Sequence, residues 1–192
     1  MNYIIKPVFI LILILSLGCN DSYTPKPRGY FRITLPEKDY SRIETTLPYT
    51  FEKPDYAKLS PRKNTGNEPY WSNLMLQEFD AQVHLSYKKI EQNLYELLED
   101  NREFAYKHSV KADAIQERLF QAPENNVYGI LYEIEGNTAS PVQFFATDST
   151  KHFLRGSLYF NVVPNKDSIA PVIDFVKKDI VHLMETLRWK EL

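Results

Sequence analysis

Between residues 70 and 162, apolar and polar side chains alternate with a period of two, and one stretch alone, near residues 90–107, changes to a helical period. This pattern restricts the topology severely. Neighbouring strands joined by short turns pair antiparallel, because a parallel pair needs a crossover of about a dozen residues or more. Only the helical stretch is long enough to supply one. The runs WSNLMLQEF and AQVHLSYK meet at Asp80 and predict a hairpin. Further strands are predicted over 114–120, 127–134, 142–147 and 153–162, punctuated by APENN, EGNTASP and TDSTKH. The EGN turn favours an antiparallel hairpin over 127–147.

In the helical stretch, Ile90, Leu94, Leu97, Leu98, Phe104 and Ala105 share one face, and Glu91, Glu96, Glu99, Arg102 and Lys107 fill the other. The spacing predicts an amphipathic helix of about five turns. A second helix is predicted from a cap at Asp167 or Ser168, with Pro171 in its first turn, running to the C-terminus. Its stripe is Ile169, Val172, Val176, Ile180, Leu183, Met184 and Leu187. Upstream, YFRITL (30–35) reads as a strand stopped by Pro36. Pro48, Pro54, Pro61 and Pro69 allow no long helix, and YTFEK reads as a short strand among loops. The fold expected is α+β: an antiparallel β-sheet packed by a middle and a C-terminal amphipathic helix, an α/β sandwich.

The first residues follow different rules. From Tyr3 to Leu17 only Lys6, Pro7 and Ser16 are not apolar, and the one cysteine of the chain, Cys19, stands where this run gives way to polar sequence. The run is short of the roughly 20 apolar residues of a membrane-spanning helix and reads as a secretory signal. Gly18 directly before Cys19 resembles a bacterial lipobox, in which the cysteine is lipidated; the leucine usual three places before the cysteine is Leu15 here, one residue early, with Ser16 in its place. The alternative is a structural cysteine in an uncleaved anchor. The organisation expected is a lipoprotein signal peptide over 1–18, a lipidated Pro-rich tether over 19–29, and a single globular domain over 30–192. Removal of Lys6 with the signal takes the formal charge from −2 to −3.

That charge offers no basic field for nucleic acid, whose phosphates supply most of the affinity of generic binding. A single thiol excludes a disulfide scaffold, and an aromatic content of 14% argues against disorder.

Candidate chemistry is sparse. His84, His108, His152 and His182 fall in separate elements without HxH or HExxH spacing, so no metal or other cofactor is expected. Asp148, Ser149, His152 and Arg155 form the densest polar cluster. A catalytic triad draws its members from separate segments, whereas these lie along one turn, and Asp and Ser are good turn formers; a structural turn is the expectation. A glycosidase-type acid pair would draw on Glu133, Glu135 and Asp148 across the hairpin, but solvated strand faces account for them. Tyr40, Tyr49, Phe51, Tyr56, Tyr70 and Trp71 either form a sugar- or peptide-stacking surface or cover a sheet edge. There is no GxSxG, Walker or dinucleotide motif, and no enzyme activity is expected.

Four segments, CNDSYTPKPRGYFRITLPEKDY, KHSVKADAI, YGILYEIEGNTASPVQFFATDSTKHFLRGSLYF and PVIDFVKKDIVHLMETLRWK, resemble in order and spacing the gliding-motility lipoprotein GldD family of Bacteroidota. The resemblance covers nearly all of the chain after Cys19. It implies a lipid-anchored cell-envelope protein, palmitoylated at Cys19, that is needed for gliding and works with the gliding and type IX secretion machinery through protein contacts. It carries over no catalytic, cofactor or metal residue. Only Asp21 is acidic just after the cysteine, whereas surface-exported lipoproteins of the phylum tend to carry an acidic run there, so a periplasm-facing domain is expected. Asp148-Ser149-Thr150 and Asp167-Ser168-Ile169 resemble the O-glycosylation tripeptide of the phylum. The competing expectation is a periplasmic ligand-binding domain or a hydrolase of envelope polymers, with His152 or Asp148 inside a deep pocket.

Overall fold

The structure, a computed structural model, describes residues 33–63, 66, 68–107, 112–161 and 166–191. The expected signal peptide, Cys19, the expected tether and His108 lie outside the described residues. Short strands β1 (Tyr40–Arg42), β2 (Tyr49–Thr50), β3 (Glu52–Pro54) and β4 (Lys58–Pro61) lead into β5 (Ser72–Leu76) and β6 (Ala81–Lys89). Helix α1 (Leu94–Tyr106) follows, then β7 (Ala112–Ala122), β8 (Val127–Gly136), β9 (Val142–Thr147) and β10 (His152–Phe160). Helix α2 (Lys166–Thr186) and β11 (Arg188–Trp189) complete the order.

Seven strands form one sheet in the order β4-β5-β6-β10-β9-β8-β7, and every pairing in it is antiparallel. The chain meanders from β4 to β6, crosses on α1 to the far edge at β7, and meanders back until β10 closes against β6. The turns are made by residues that tolerate left-handed backbone: Asp80 (φ 46), Asn126 (φ 53) and Gly136 (φ 112). The fold is thus α+β, with the two helices on opposite faces of the sheet. Phe144 joins the core beneath α2 while its neighbour Phe145 joins the cluster beneath α1; Leu154 and Phe153 divide in the same way. The larger core combines Leu74, Val83, Leu85, Leu131 and Leu158 with Val176, Ile180, Leu183 and Met184 of α2.

Four expectations are corrected. Residues 33–35 of the expected YFRITL strand join no ladder, and its first three residues lie outside those described. Helix α1 starts at Leu94 instead of Ile90: the Ile90 N–H donates to the Lys151 carbonyl, extending the β6–β10 ladder, and Gln92 turns left-handed (φ 62). Helix α2 stops at Thr186 because Arg188 and Trp189 pair with Thr50 and Tyr49, partners in β2 that periodicity cannot reveal. Asp167 and Ser168 lie within the helix, not before it, and Pro171 stands in its second turn.

Besides the β2–β11 and β4–β5 pairs and the buried Tyr49 and Phe51, the irregular 33–61 segment is held to α2 by one buried carboxylate. Asp179 of α2 is 3% exposed and accepts hydrogen bonds from the Lys38 ammonium, the Tyr40 hydroxyl (2.7 Å) and the Tyr56 hydroxyl. The Lys38 ammonium also lies 3.7 Å from the centre of the Phe175 ring. Burial, reinforced by the Asp179 carboxylate they donate to, raises both phenols well above their usual pKa, so they stay donors.

Two substitutions test this framework by urea denaturation. Asp179→Asn leaves the two phenols and the ammonium without their charged acceptor and is expected to cost about 2–4 kcal/mol. Gly156→Ala would place a Cβ 2.0 Å from the ring of Phe144, its cross-strand partner and fully buried, and is expected to cost about 1–3 kcal/mol.

Candidate functional site

The cluster Asp148, Ser149, His152 and Arg155 is divided by the sheet. Strand β10 sends alternate side chains to opposite faces, so His152 emerges on the α2 side and Arg155 on the α1 side. What remains is a turn. The Asp148 carboxylate accepts the backbone N–H groups of Thr150 (2.9 Å), Lys151 (2.8 Å) and His152 (2.8 Å) and the Thr150 hydroxyl (3.0 Å). Burial alone would raise this carboxyl, but those four donors outweigh it and hold its pKa below the usual range. Ser149 is exposed with φ 63 and donates its N–H to Thr147 Oγ1 (2.9 Å).

His152 is 4% exposed, stacks on Trp189 at 5.1 Å between ring centres, and shares a 2.8 Å hydrogen bond with the Tyr87 hydroxyl through Nδ1. Burial depresses its pKa and pushes that of Tyr87 up to about 12, so both groups stay neutral at physiological pH. A broad depression of about 820 Å³ lies over this turn, lined by Lys89, Lys151 and Arg188 among others. The carboxylate is taken up by three backbone N–H groups and the Thr150 hydroxyl, and the imidazole by the Tyr87 hydroxyl and the Trp189 ring.

The other candidates scatter. Glu133 pairs with Lys177 (2.8 Å), and Glu135 accepts from Gln116 (2.8 Å). Glu133 lies opposite Val142, at the far end of β9 from Asp148 and roughly 20 Å away at strand spacing, too far for a glycosidase pair. His182 lies 2.9 Å from Glu52 and stacks on Tyr40. Among the described residues no three His, Cys, Asp or Glu side chains gather to hold a metal ion. Of the first-half aromatics, Tyr49 and Phe51 are core, Tyr40 and Tyr56 bind Asp179, and Tyr70 packs edge-on against Tyr87. Only Trp71 of the six lines a cleft on the α1 side.

That cleft was hidden in the polar alternation of two strands. A 13-residue helix of about 20 Å cannot cover a seven-stranded sheet roughly 29 Å across, so α1 leaves β5, β6 and the end of β10 open. The space beside it, about 380 Å³, is walled by Trp71, Leu97, Phe104, Phe153 and Tyr159 and carries Arg62, His84, Ser86, Lys88 and Arg155. Behind it one cross-strand row runs Asn73, His84, Ser157, Gln143, Tyr132. His84 stacks against Tyr159 at 4.8 Å. Burial, then Arg62 and Arg155, lower the pKa of His84, which keeps it neutral. The pattern HLSYK in β6 and RGSLY in β10 carries these groups, but only the β6–β10 pairing brings them together.

The family model described as gliding motility lipoprotein GldD matches residues 20–189. No curated protein matches the chain. Five chains of solved structures do, among them the solution structure of cyanobacterial PsbP (CyanoP) from Synechocystis sp. PCC 6803, 12% identical over 85% of this chain and 99% of that one, with a TM-score of 0.48.

The turn sets a pH-dependent prediction. A carboxyl whose folded pKa lies below its unfolded value of about 3.9 contributes stability that is complete above that value and disappears as pH falls through the folded one. Asp148→Asn is therefore expected to cost about 1–2 kcal/mol at neutral pH, with the gap to wild type closing at strongly acid pH in denaturation curves measured from pH 7 to 2.

Proposed function

The chain belongs to the gliding motility lipoprotein GldD family, and from that membership we propose that it is a non-enzymatic component of the gliding and type IX secretion machinery, tethered at Cys19 with its domain facing the periplasm. The membership itself makes it a membrane-anchored envelope lipoprotein with a role in gliding motility. The observation that carries the finer reading is the extent of the match, which takes in residues 20–189 from directly after Cys19. Residues 19–29 then act as the tether and 30–192 as the working domain.

Protein contacts, not catalysis, are the proposed mode of action. Asp148 and His152 are committed to holding their turn, which speaks against a hydrolase there. Tyr95 (75% exposed) on α1 and Leu119 (69%) on the edge strand β7 present apolar surface of the type on which such contacts form. Two acyl chains or more at Cys19 would make the attachment stable, because one alone holds only marginally. Ser149 and Ser168, both exposed, are the hydroxyls that O-glycosylation of the two tripeptides would use.

Cys19→Ala is expected to release the protein from the membrane fraction, abolish palmitate labelling and stop spreading on agar. Unchanged labelling and fractionation would overturn the anchor. Normal gliding and secretion in a deletion strain would overturn the role in the machinery.

A further inference from the structure

We propose that the cleft between α1 and the open half of the sheet binds a small organic oxyanion, a carboxylate or phosphate carried on an apolar ring. The proposal is independent of the anchor and of the role in gliding.

Of the cationic groups of the cleft, Lys88 pairs with Glu68, whereas the two arginines have no carboxylate paired with them among the described residues. The Arg155 guanidinium lies 4.7 Å from the centre of the Phe104 ring and donates through Nη2 to Gln143 Oε1 (2.8 Å), while its Nε has no acceptor. No carboxylate is paired with it among the described residues; Asp100 stands exposed at the rim. Arg62 rests over Trp71 at 5.3 Å. Burial lowers the pKa of Arg155, opposed only by the neighbouring Tyr159 hydroxyl, and an incoming oxyanion would offset that cost by supplying a charged acceptor.

The floor shows the same deficit. Asn101, 2% exposed, lines the cleft with its Oδ1 unpartnered, and in the polar row of the sheet behind the lining Ser157 Oγ, Gln143 Nε2 and Asn73 Oδ1 are unpartnered as well. A buried polar atom without a partner costs about 1–3 kcal/mol, so several on one sheet face mark a surface built to be completed from outside. Ser86 and Asn101, which line the cleft, offer hydrogen-bond donors, which an oxygen-rich anion can use and a cation cannot. His84, held neutral, adds a donor or acceptor without adding charge.

The walls set the rest of the ligand. Trp71 and Phe104 stand beside the two arginines, and Leu97 and Phe153 complete an apolar lining. A volume of about 380 Å³ is at the small end of ligand pockets, which run from about 300 to 1,000 Å³. It admits one ring with its anionic group.

The test uses the two tryptophans of the chain as reporters, Trp71 in the cleft and Trp189 on the opposite face. Their indole N–H signals are followed by ¹H–¹⁵N NMR in the chain from residue 19 onward during titration with phenyl phosphate, phenylacetate, inorganic phosphate or benzyl alcohol. The Trp71 signal is expected to shift saturably with phenyl phosphate, phenylacetate or both, with a Kd of about 1 mM for a fragment of this size, while Trp189 stays fixed. Which of the two binds tighter separates a phosphate from a carboxylate ligand. Arg155→Gln and Arg62→Gln are each expected to weaken binding about tenfold or more, and Arg62→Gln serves alone should Arg155→Gln fail to fold. The proposal is overturned if benzyl alcohol shifts Trp71 as strongly as the anions, if neither aromatic anion saturates, if both tryptophans respond alike, or if a folded Arg→Gln variant binds as wild type does.

Discussion

The Asp179 carboxylate is the polar constraint that ties the N-terminal third of the domain to α2, beside the burial of Tyr49 and Phe51 and the β2–β11 pair. Residues 33–61 contain only short strands and prolines, and on propensity alone they have no reason to lie anywhere in particular. Three donors from Lys38, Tyr40 and Tyr56 converge on one carboxylate in the middle of α2, and they fix the segment against the helix. Helix α2 is itself fixed by its apolar stripe on the sheet, so the order of dependence runs from sheet to helix to carboxylate to loop. The charge is buried together with its donors and not stranded, which is the condition under which such a group stabilises a fold.

The two faces of the sheet perform different tasks. The α2 face is a close-packed core whose tight spot, Gly156 under the Phe144 ring, leaves no room even for a methyl group. The α1 face is covered over one half only. Its other half carries arginines, a neutral histidine and polar side chains among aromatic walls. A protein that needed nothing but stability would gain from apolar residues at Ser157 and Gln143. Their retention as buried, partly unpartnered polar groups is a stability cost, and such costs gather where a surface has work to do.

Much of this was legible beforehand, for reasons that differ by element. The hairpins around Asp80 and Gly136 and both helices follow from local periodicity and turn chemistry, which need no knowledge of distant residues. The errors fall where a distant partner overrides a local tendency: Ile90 is taken into the β6–β10 ladder by Lys151, and Arg188 and Trp189 leave the helix for β2. The structural turn at Asp148 was readable from Asp, Ser and Thr in sequence. The cleft was not. His84 stands in the sequence as one of four scattered histidines and Arg155 as a member of a polar cluster, but their meeting depends on a pairing between β6 and β10 that no short-range pattern specifies.

The late position of β10 governs how the chain can mature. In the sheet it is the central partner of β6, yet it is made after every other strand of that sheet, and the lock on Lys38 closes across 141 residues of sequence. A chain emerging N-terminus first, from a ribosome or through a membrane channel, presents the apolar face of β5 and β6 with nothing to cover it until α2 has also emerged. Its early half must then wait unfolded, exposed to aggregation and proteolysis, for the final stretch that makes it a domain.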